Sequence, residues 1–559
     1  MEAMEASFAA RARGLGWLLW LALAASWLVT LQIRPLLDPD EGRYAEIPRE
    51  MLASGDWVTP HLNGLKYFEK PPLQYWATSA AYSVCGESEW TARLWSVALA
   101  FLCLPMVYAW SRALYGMKAG LVALSALAVS PYFAIVGHLD LLDAGFTFWL
   151  TGAIFAFTLA QNAPTGSQSE RRWMLVTWAA AALAVLSKGI VVGVLAGLTL
   201  SLYSLLERDI RPWKRLHAGL GIPLFVLIAA PWFVLVSSRN PEFLQFFFVH
   251  EHLARFLTTV HQRVEPWWYF LPVLLLGVLP WVGYVGGLAR QAWFDPGLSP
   301  QFRPQKFLLL FALVTLVFFS LSGSKLAPYI LPMMPVLAAL AGVHAAARPD
   351  FIRHVSWFVA GLLVFCAIGM GVYSVSHSGK LPQAVLAWST ATAALGACAA
   401  ILTQLRIAPA RGVWLLCVAS VLGWQCLLTA FAAVAPLRTA KELVAAISEE
   451  IKPQTPLYSV GQYRHTLTWY LRRNLVLVGF AGELEFGIGQ EPGKESASRA
   501  EFLTRWRASS DAVAFFAPAA YDDYRMLGLP GRVVVRDGTT VVVSRKEFPD
   551  VPAADVPAS

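Results

Sequence analysis

Charge is scarce in this sequence. Only 14% of its 559 residues are Asp, Glu, Lys or Arg, where soluble domains carry about 25%. A solvated surface over most of the chain is thereby excluded. Cysteine is scarce as well. Five of the six lie inside apolar runs and only Cys85 lies in a loop, which leaves no disulfide framework. No nucleotide-binding motif occurs anywhere and no internal repeat is clear. The net charge of +8 does not point to nucleic acid, because Lys and Arg sit in short segments between apolar runs, where they orient a membrane chain.

Apolar residues, in contrast, make up 57% of the chain. Runs long enough to cross a hydrocarbon core of about 30 Å recur through the first 433 positions. Thirteen spans are expected, over 14–32, 90–111, 119–136, 142–161, 173–187, 190–206, 217–237, 268–289, 307–322, 326–346, 354–375, 383–404 and 411–433. The first reads as a retained anchor, since about eighteen apolar residues follow Arg11 and Arg13 without a cleavage signal. With the N-terminus cytoplasmic, about seventeen Lys and Arg fall in the cytoplasmic segments, whereas the short opposite turns hold only Lys188, Lys325 and Lys380. The positive-inside rule favours that orientation.

The expected architecture is therefore a polytopic α-helical membrane protein. Residues 1–433 form the transmembrane domain, including the extracytoplasmic loops 33–89 and 238–267. Residues 434–559 form a small extracytoplasmic α/β domain. In that domain an amphipathic helix is expected over 437–451, with further helices near 463–473, 498–507 and 519–527. The strands come from LYSVG, LVLVGF and AVAFFAP, and Asp537-Gly538 suits a tight hairpin turn in RVVVRDGTTVVVSR. This domain has neither a glycine-rich phosphate loop nor metal-ligand spacing, so it is expected to serve as a lid or scaffold.

The first loop, Asp38 to Trp76, is the most charged segment between spans. Asp38-Pro39-Asp40-Glu41 fits a capping box, with Asp38 as N-cap, Pro39 at the first helical position and Glu41 three residues after the cap. The helix that follows would place Tyr44, Ile47, Met51 and Leu52 on one interfacial face. Asp40 is left without a structural task and is the expected catalytic carboxylate. Downstream, Glu69-Lys70-Pro71-Pro72 can be a bend with a snorkelling lysine, or a rigid mount that offers Lys70 to a lipid phosphate.

Topology places further polar residues at the same membrane face: Arg43, Asp143, Lys188, His250, His252, Arg255 and Lys325. Asp143 can equally be a helix cap. His250 and His252 with Glu69 offer donors for zinc or another divalent ion. The i,i+2 spacing does not put both histidines on one helical face, so such a site needs non-helical backbone; otherwise they are interfacial polar residues. No essential cofactor is expected. Both charge signs at one face suit the handling of a phosphorylated lipid. A transporter would instead carry its polar site near the midplane.

In order, the segments DPDEGRYAEIPREM, YFEKPPLQYW, HLDLLD, LSKG, VHEHLARF with PWWYFLP, and SGSKLAPYILPMMP closely resemble the 4-amino-4-deoxy-L-arabinose transferases of lipid A. These belong to the membrane-embedded C-type glycosyltransferases, which include protein O-mannosyltransferases. The resemblance runs through about residues 30–345. The acidic first-loop motif is shared across the superfamily; EKPP, SKG and SKLAPYILP are more specific to the arabinose branch. It implies an undecaprenyl-phosphate-linked aminoarabinose donor, a lipid A phosphate acceptor and inverting transfer. The reaction would occur at the periplasmic face of a bacterial inner membrane, by a monomer, and confer resistance to polymyxin and other cationic peptides.

In that reading Lys70, with Arg43, Lys188, Arg255 or Lys325, holds the departing polyprenyl phosphate. Asp40 and Asp143 orient the sugar. Tyr67 and Tyr329 donate hydrogen bonds to sugar or phosphate, and Glu69 contacts substrate or metal. Two alternatives stand beside it. One is another polyprenyl-phosphate-sugar transferase acting on protein hydroxyls, where Asp40 would be a true base. The other is a lipid or sugar transporter.

Overall fold

The computed structural model describes residues 16–254, 265–298, 302–348, 350–378, 381–404, 409–434 and 438–546. Arg11, Arg13, Arg255, Lys380 and the side chain of His252 lie outside the described residues. The chain divides into two compact units, Met1–Arg34 with Phe68–Val434, and Pro35–Tyr67 with Ala435–Ser559.

The first unit is helical, and each apolar run expected to cross a membrane is helical over most of its described length, although 119–136, 268–289 and 326–346 are each broken into more than one helix. Among the described residues eight helices are long and apolar enough to span, or nine if the pair Met117–Ala128 and Pro131–Gly137, bent by 67°, is one span. Gly16–Leu28, Val191–Glu207 and Met333–Ala345 are shorter apolar helices. The bend has a local cause. Pro131 cannot continue the preceding ladder, and Ser130 opens the new helix by accepting from the Phe133 N–H at 3.2 Å.

The junction at Lys188 is a true break. Helix Gln168–Lys188 ends there, and Gly189 follows at φ +92°, ψ −159°, a conformation open to glycine and hardly to other residues. Helix Val191–Glu207 then begins. A second break separates helix Pro304–Leu321 from Met333–Ala345, with a 3-10 turn at Ala327–Ile330 between them.

The second unit is built on a six-stranded sheet. Strands β1 (His61–Leu62) and β2 (Leu65–Lys66) form a short antiparallel pair, and the sheet's strands are β3 (Leu457–Val460), β4 (Val476–Val478), β5 (Ser496–Ala497), β6 (Val513–Phe516), β7 (Arg532–Arg536) and β8 (Val541–Ser544), in the order β5-β4-β3-β6-β8-β7. The first four are parallel and the last two antiparallel. Strands β3 and β6 are buried at every residue, as parallel strands covered on both faces should be. Tyr458, Val460, Phe502, Trp506 and Phe516 pack on one face; Leu443, Leu467, Leu475, Val513 and Phe515 pack on the other.

Three expectations are corrected here. The first-loop segment 35–67 belongs by its contacts with the C-terminal α/β unit, not with the transmembrane helices. The reason is packing: a Cβ on Gly42 would lie 2.5 Å from the Thr466 nitrogen and 2.7 Å from the His465 carbonyl carbon. The first-loop helix thus rests directly on backbone of the α/β unit. Second, that helix runs Asp40–Ser54 with no side-chain cap, and it is buried on all sides from Glu41 to Met51. It is therefore not a one-faced interfacial helix.

Third, the helix expected over 437–451 is regular only at Lys441–Ala446. The hairpin expected at Asp537-Gly538 is present: residues 532–536 and 541–544 pair antiparallel, and the Asp537 N–H donates to the Thr540 carbonyl at 2.9 Å across the turn. The Asp537 carboxylate reinforces it, Oδ1 accepting from the N–H groups of Thr539 and Thr540, both at 2.7 Å.

Candidate active site

In the helical unit, three segments far apart in sequence converge on Lys188. Its ammonium pairs with Asp143 and lies 4.6 Å from the Tyr329 ring centre and 5.3 Å from that of Phe146. Asp143 is in the first turn of helix Leu142–Asn162, and Lys188 in the last turn of Gln168–Lys188. Each charge thus sits at the helix end whose dipole favours it. Only 11% of the Lys188 side chain and 13% of that of Asp143 are exposed. Low dielectric and a cation–π contact both strengthen this arrangement. Lys325 is buried in the neighbouring turn and donates to the Ser322 carbonyl at 2.7 Å.

A second cluster surrounds Lys70. Its Nζ donates to the Glu69 carbonyl at 2.8 Å and lies 3.3 Å from Glu251 Oε2 and 3.8 Å from Glu69 Oε2. Residues Gln245–Ala254 form a π-helix, a form that recurs at functional sites. His250 Nδ1 lies 3.7 Å from Glu251, and its ring stacks on Phe246 with centres 5.1 Å apart.

Among the described residues no three His, Cys, Asp or Glu side chains are grouped to hold a metal ion. Glu69 and Glu251 both face Lys70; the side chain of His252, the third donor expected beside Glu69 and His250, lies outside the described residues. The sequence points to the histidines flanking Glu251. The structure makes Glu251 itself the partner of Lys70.

Asp140 and His138, in the HLDLLD turn, bond within the helical unit. Both are fully buried. Asp140 accepts from Gln74 Nε2 at 2.8 Å and from the Ser96 hydroxyl at 2.9 Å. The His138 ring lies against Trp27, and its Nε2 is 3.0 Å from the Trp27 carbonyl.

Asp40 and Arg43 belong to the other unit, one helical turn apart. Arg43 Nη1 donates to Asp40 Oδ1 at 3.2 Å. The remaining face of the guanidinium grips Glu483 as a fork, Nε to Oε1 at 3.2 Å and Nη2 to Oε2 at 2.6 Å. Glu483 also takes a hydrogen bond from His465. Burial alone would raise the Glu483 pKa, but Arg43 and His465 outweigh it and hold this carboxyl well below the usual range. The Arg43 side chain is 5% exposed and that of Asp40 42%, so the anchored end of the array is buried and its carboxylate end is open. Tyr67 is buried and acts electrostatically on Arg43.

Asp38 is not a cap. Its carboxylate accepts from Arg464 Nε at 3.1 Å, the Thr466 N–H at 2.8 Å and the Thr466 hydroxyl at 2.8 Å. Glu41 instead reaches back to the Leu37 N–H at 3.0 Å. Nothing in the local pattern around Glu483, His465 or Arg464 marks them as partners of the first loop.

Comparison with known proteins gives a consistent picture. The family model for the aminoarabinose transferase C-terminal domain matches residues 443–545. That for dolichyl-phosphate-mannose-protein mannosyltransferase matches residues 19–247. The undecaprenyl phosphate-alpha-4-amino-4-deoxy-L-arabinose arabinosyl transferase of Pseudomonas aeruginosa (strain UCBPP-PA14) is 31% identical over 92% of this chain and 95% of its own length. Its counterpart from Aeromonas hydrophila is 33% identical over 66% of this chain and 69% of its own. A crystal structure of ArnT from Cupriavidus metallidurans bound to undecaprenyl phosphate superposes with a TM-score of 0.85 at 35% identity, covering 96% of this chain and 98% of that one.

Proposed function

The chain belongs to the undecaprenyl phosphate-4-amino-4-deoxy-L-arabinose arabinosyl transferases, and we propose that it moves aminoarabinose from undecaprenyl phosphate to a phosphate of lipid A. The observation that carries this reading is that the likeness runs through both units, over 92% of the chain. The mannosyltransferase match ends at residue 247, while the aminoarabinose transferase domain matches 443–545. That favours the aminoarabinose reading over transfer to protein hydroxyls. The reaction is placed at the periplasmic face of a bacterial inner membrane; the excess of Lys and Arg in the opposite loops supports this orientation.

A phosphate oxygen of the acceptor attacks the anomeric carbon, the bond from that carbon to the donor phosphate breaks, and undecaprenyl phosphate leaves with the electron pair. The sugar is inverted. The nucleophile is already an anion, so the protein's task is to orient the reactants and stabilise charge growing on the leaving phosphate. Lys70 is the cation assigned to that phosphate, held ready by the rigid Pro71-Pro72 mount and by Glu251. Lys188 is assigned to the same task from its place between Asp143 and Tyr329. Asp40, the open end of its array, is assigned to the sugar and its cationic amine.

Mass spectrometry of lipid A from cells with and without the gene tests the function. A gene-dependent addition of pentosamine mass supports it, and unchanged lipid A overturns it. Turnover by purified Asp40→Asn tests the residue assignment, since a wild-type rate would remove Asp40 from the chemistry.

A further inference from the structure

We propose that His465, acting through Glu483 and Arg43, is a positioning residue of the transferase, so that the C-terminal α/β unit contributes to turnover rather than serving as a lid or scaffold alone. The inference rests on the reading of Asp40 given above. Asp40 is an exposed carboxylate on the first turn of a helix, and such a side chain has several rotamers available. An i,i+3 arginine free to follow it would not restrict it. Arg43 is not free: Nε and Nη2 are both committed to Glu483 at 3.2 and 2.6 Å, which leaves Nη1 to fix Asp40 Oδ1 at 3.2 Å.

Glu483 could itself rotate about its terminal bond, and His465 prevents that by donating to Oε1. His465 is in turn held by its place at the start of helix His465–Leu471 and by edge contact with Tyr463, ring centres 4.8 Å apart. The order of restraint runs from a buried histidine to an open carboxylate, with a bidentate charged pair between. Among the described residues Asp40 Oδ2 accepts no hydrogen bond, so the array aims one carboxylate oxygen outward while holding the other.

The approach depends on Gly42. Its missing Cβ lets the first-loop helix touch backbone at 465 and 466, which brings Arg43 to Glu483. The nearby link from Asp38 to Thr466 joins the same two segments without touching Arg43. It therefore serves as the control for attachment alone.

The test is steady-state transfer by the full-length enzyme in detergent with lipid-linked donor and lipid A, together with thermal unfolding of each variant. His465→Ala is expected to lower kcat by about tenfold, the order set by losing one hydrogen bond to a charged group. KM should stay within about twofold, as for an interaction used in the transition state. His465→Gln, which can still donate to Glu483, should recover most of the rate.

Thr466→Val, which removes the hydroxyl that donates to Asp38 and accepts from the Ala440 N–H but touches neither Arg43 nor Glu483, should lower the unfolding temperature and leave kcat near wild type. A His465→Ala enzyme with wild-type kcat overturns the inference, and so does Thr466→Val losing as much kcat as His465→Ala. Asp40→Asn in the same assay separates the two layers. An inactive Asp40→Asn beside a normal His465→Ala removes only the positioning role; an active Asp40→Asn removes the Asp40 reading and this inference with it.

Discussion

The Asp38 carboxylate accepts both the N–H and the hydroxyl of Thr466, each at 2.8 Å. Arg464 adds a third contact at 3.1 Å and continues to Asp537 at 3.2 Å. The start of the first loop is thereby tied to the helix at 465–471 and to the hairpin turn at 537–540. Hydrogen bonds to a charged group contribute about 1.5–3 kcal/mol. Asp38→Ala should lower the unfolding temperature of the α/β unit and speed amide exchange across residues 35–67. Exchange at the wild-type rate would show that the carboxylate does not hold the segment.

Gly42 tests the same attachment by volume. A Cβ there meets backbone atoms at 2.5 and 2.7 Å, and backbone cannot move aside as a side-chain tip can. Overpacking of this kind costs about 1–3 kcal/mol. Gly42→Ala should destabilise the unit and separate Arg43 from Glu483, with a loss of transfer at least as large as that of Glu483→Gln. Equal stability and rate in Gly42→Ala would sink the close-packing account.

Glu50 gives a pH prediction. It lies buried, accepting from the N–H groups of Asn63 at 2.6 Å and Gly64 at 2.8 Å. Burial first, and then the Glu46 carboxylate beside it, push its pKa up to about 8 in spite of those bonds. A folded value above the unfolded one of 4.5 means that the unfolded state holds fewer protons between them. Stability should therefore be greatest below about 4.5, as far as this group is concerned, and fall as pH rises towards 8. Glu50→Gln should flatten the unfolding temperature between pH 5 and 8. A variant with the wild-type slope would show that another group titrates.

Lys188 and Asp143 predict a double-mutant result. Removing one partner of a largely buried pair leaves a lone charge and costs about 3–5 kcal/mol. Lys188→Met should be markedly less stable than wild type, and Lys188→Met with Asp143→Asn should regain much of the loss. Transfer should remain low in both. Donor affinity in Lys188→Ala decides its second role, because an unchanged Kd for the lipid-linked sugar would remove it from the phosphate site.

Lys70 and Glu251 predict a change of charge without a change of fold. Glu251→Gln keeps the size of the side chain but removes the carboxylate 3.3 Å from Lys70. The ammonium then has one less anion near it. Transfer should fall about tenfold if this pairing positions Lys70, a loss of one charged hydrogen bond. Measuring kcat and KM for donor and acceptor shows whether binding or turnover carries the loss.

The helices were legible because crossing a membrane demands long apolar runs, and that demand is written locally along the chain. The breaks at Lys188 and at Ser324-Lys325 could be read for the same reason, since Gly189 and the charged residues interrupt the runs. Strands β3, β4 and β6 were legible as short apolar β-prone segments between turns. Local pattern also marked Asp40, Lys70, Asp143 and Lys188 as polar residues in an apolar chain.

What that pattern could not decide was partnership. Asp38 has the spacing of a helix cap, yet residues more than 400 positions away, Arg464 and Thr466, take its carboxylate. Asp537-Gly538 marks the hairpin turn, yet composition does not show that the Asp537 side chain also reaches Arg464, far from it in sequence. Glu483 and His465 carry no local mark at all; only folding brings them to Arg43. Local residue order settles which segments must leave water and which polar residues have to be accounted for. What each charge faces is settled by folding, because ion pairs and hydrogen bonds depend on separations of a few ångströms, which sequence distance does not record.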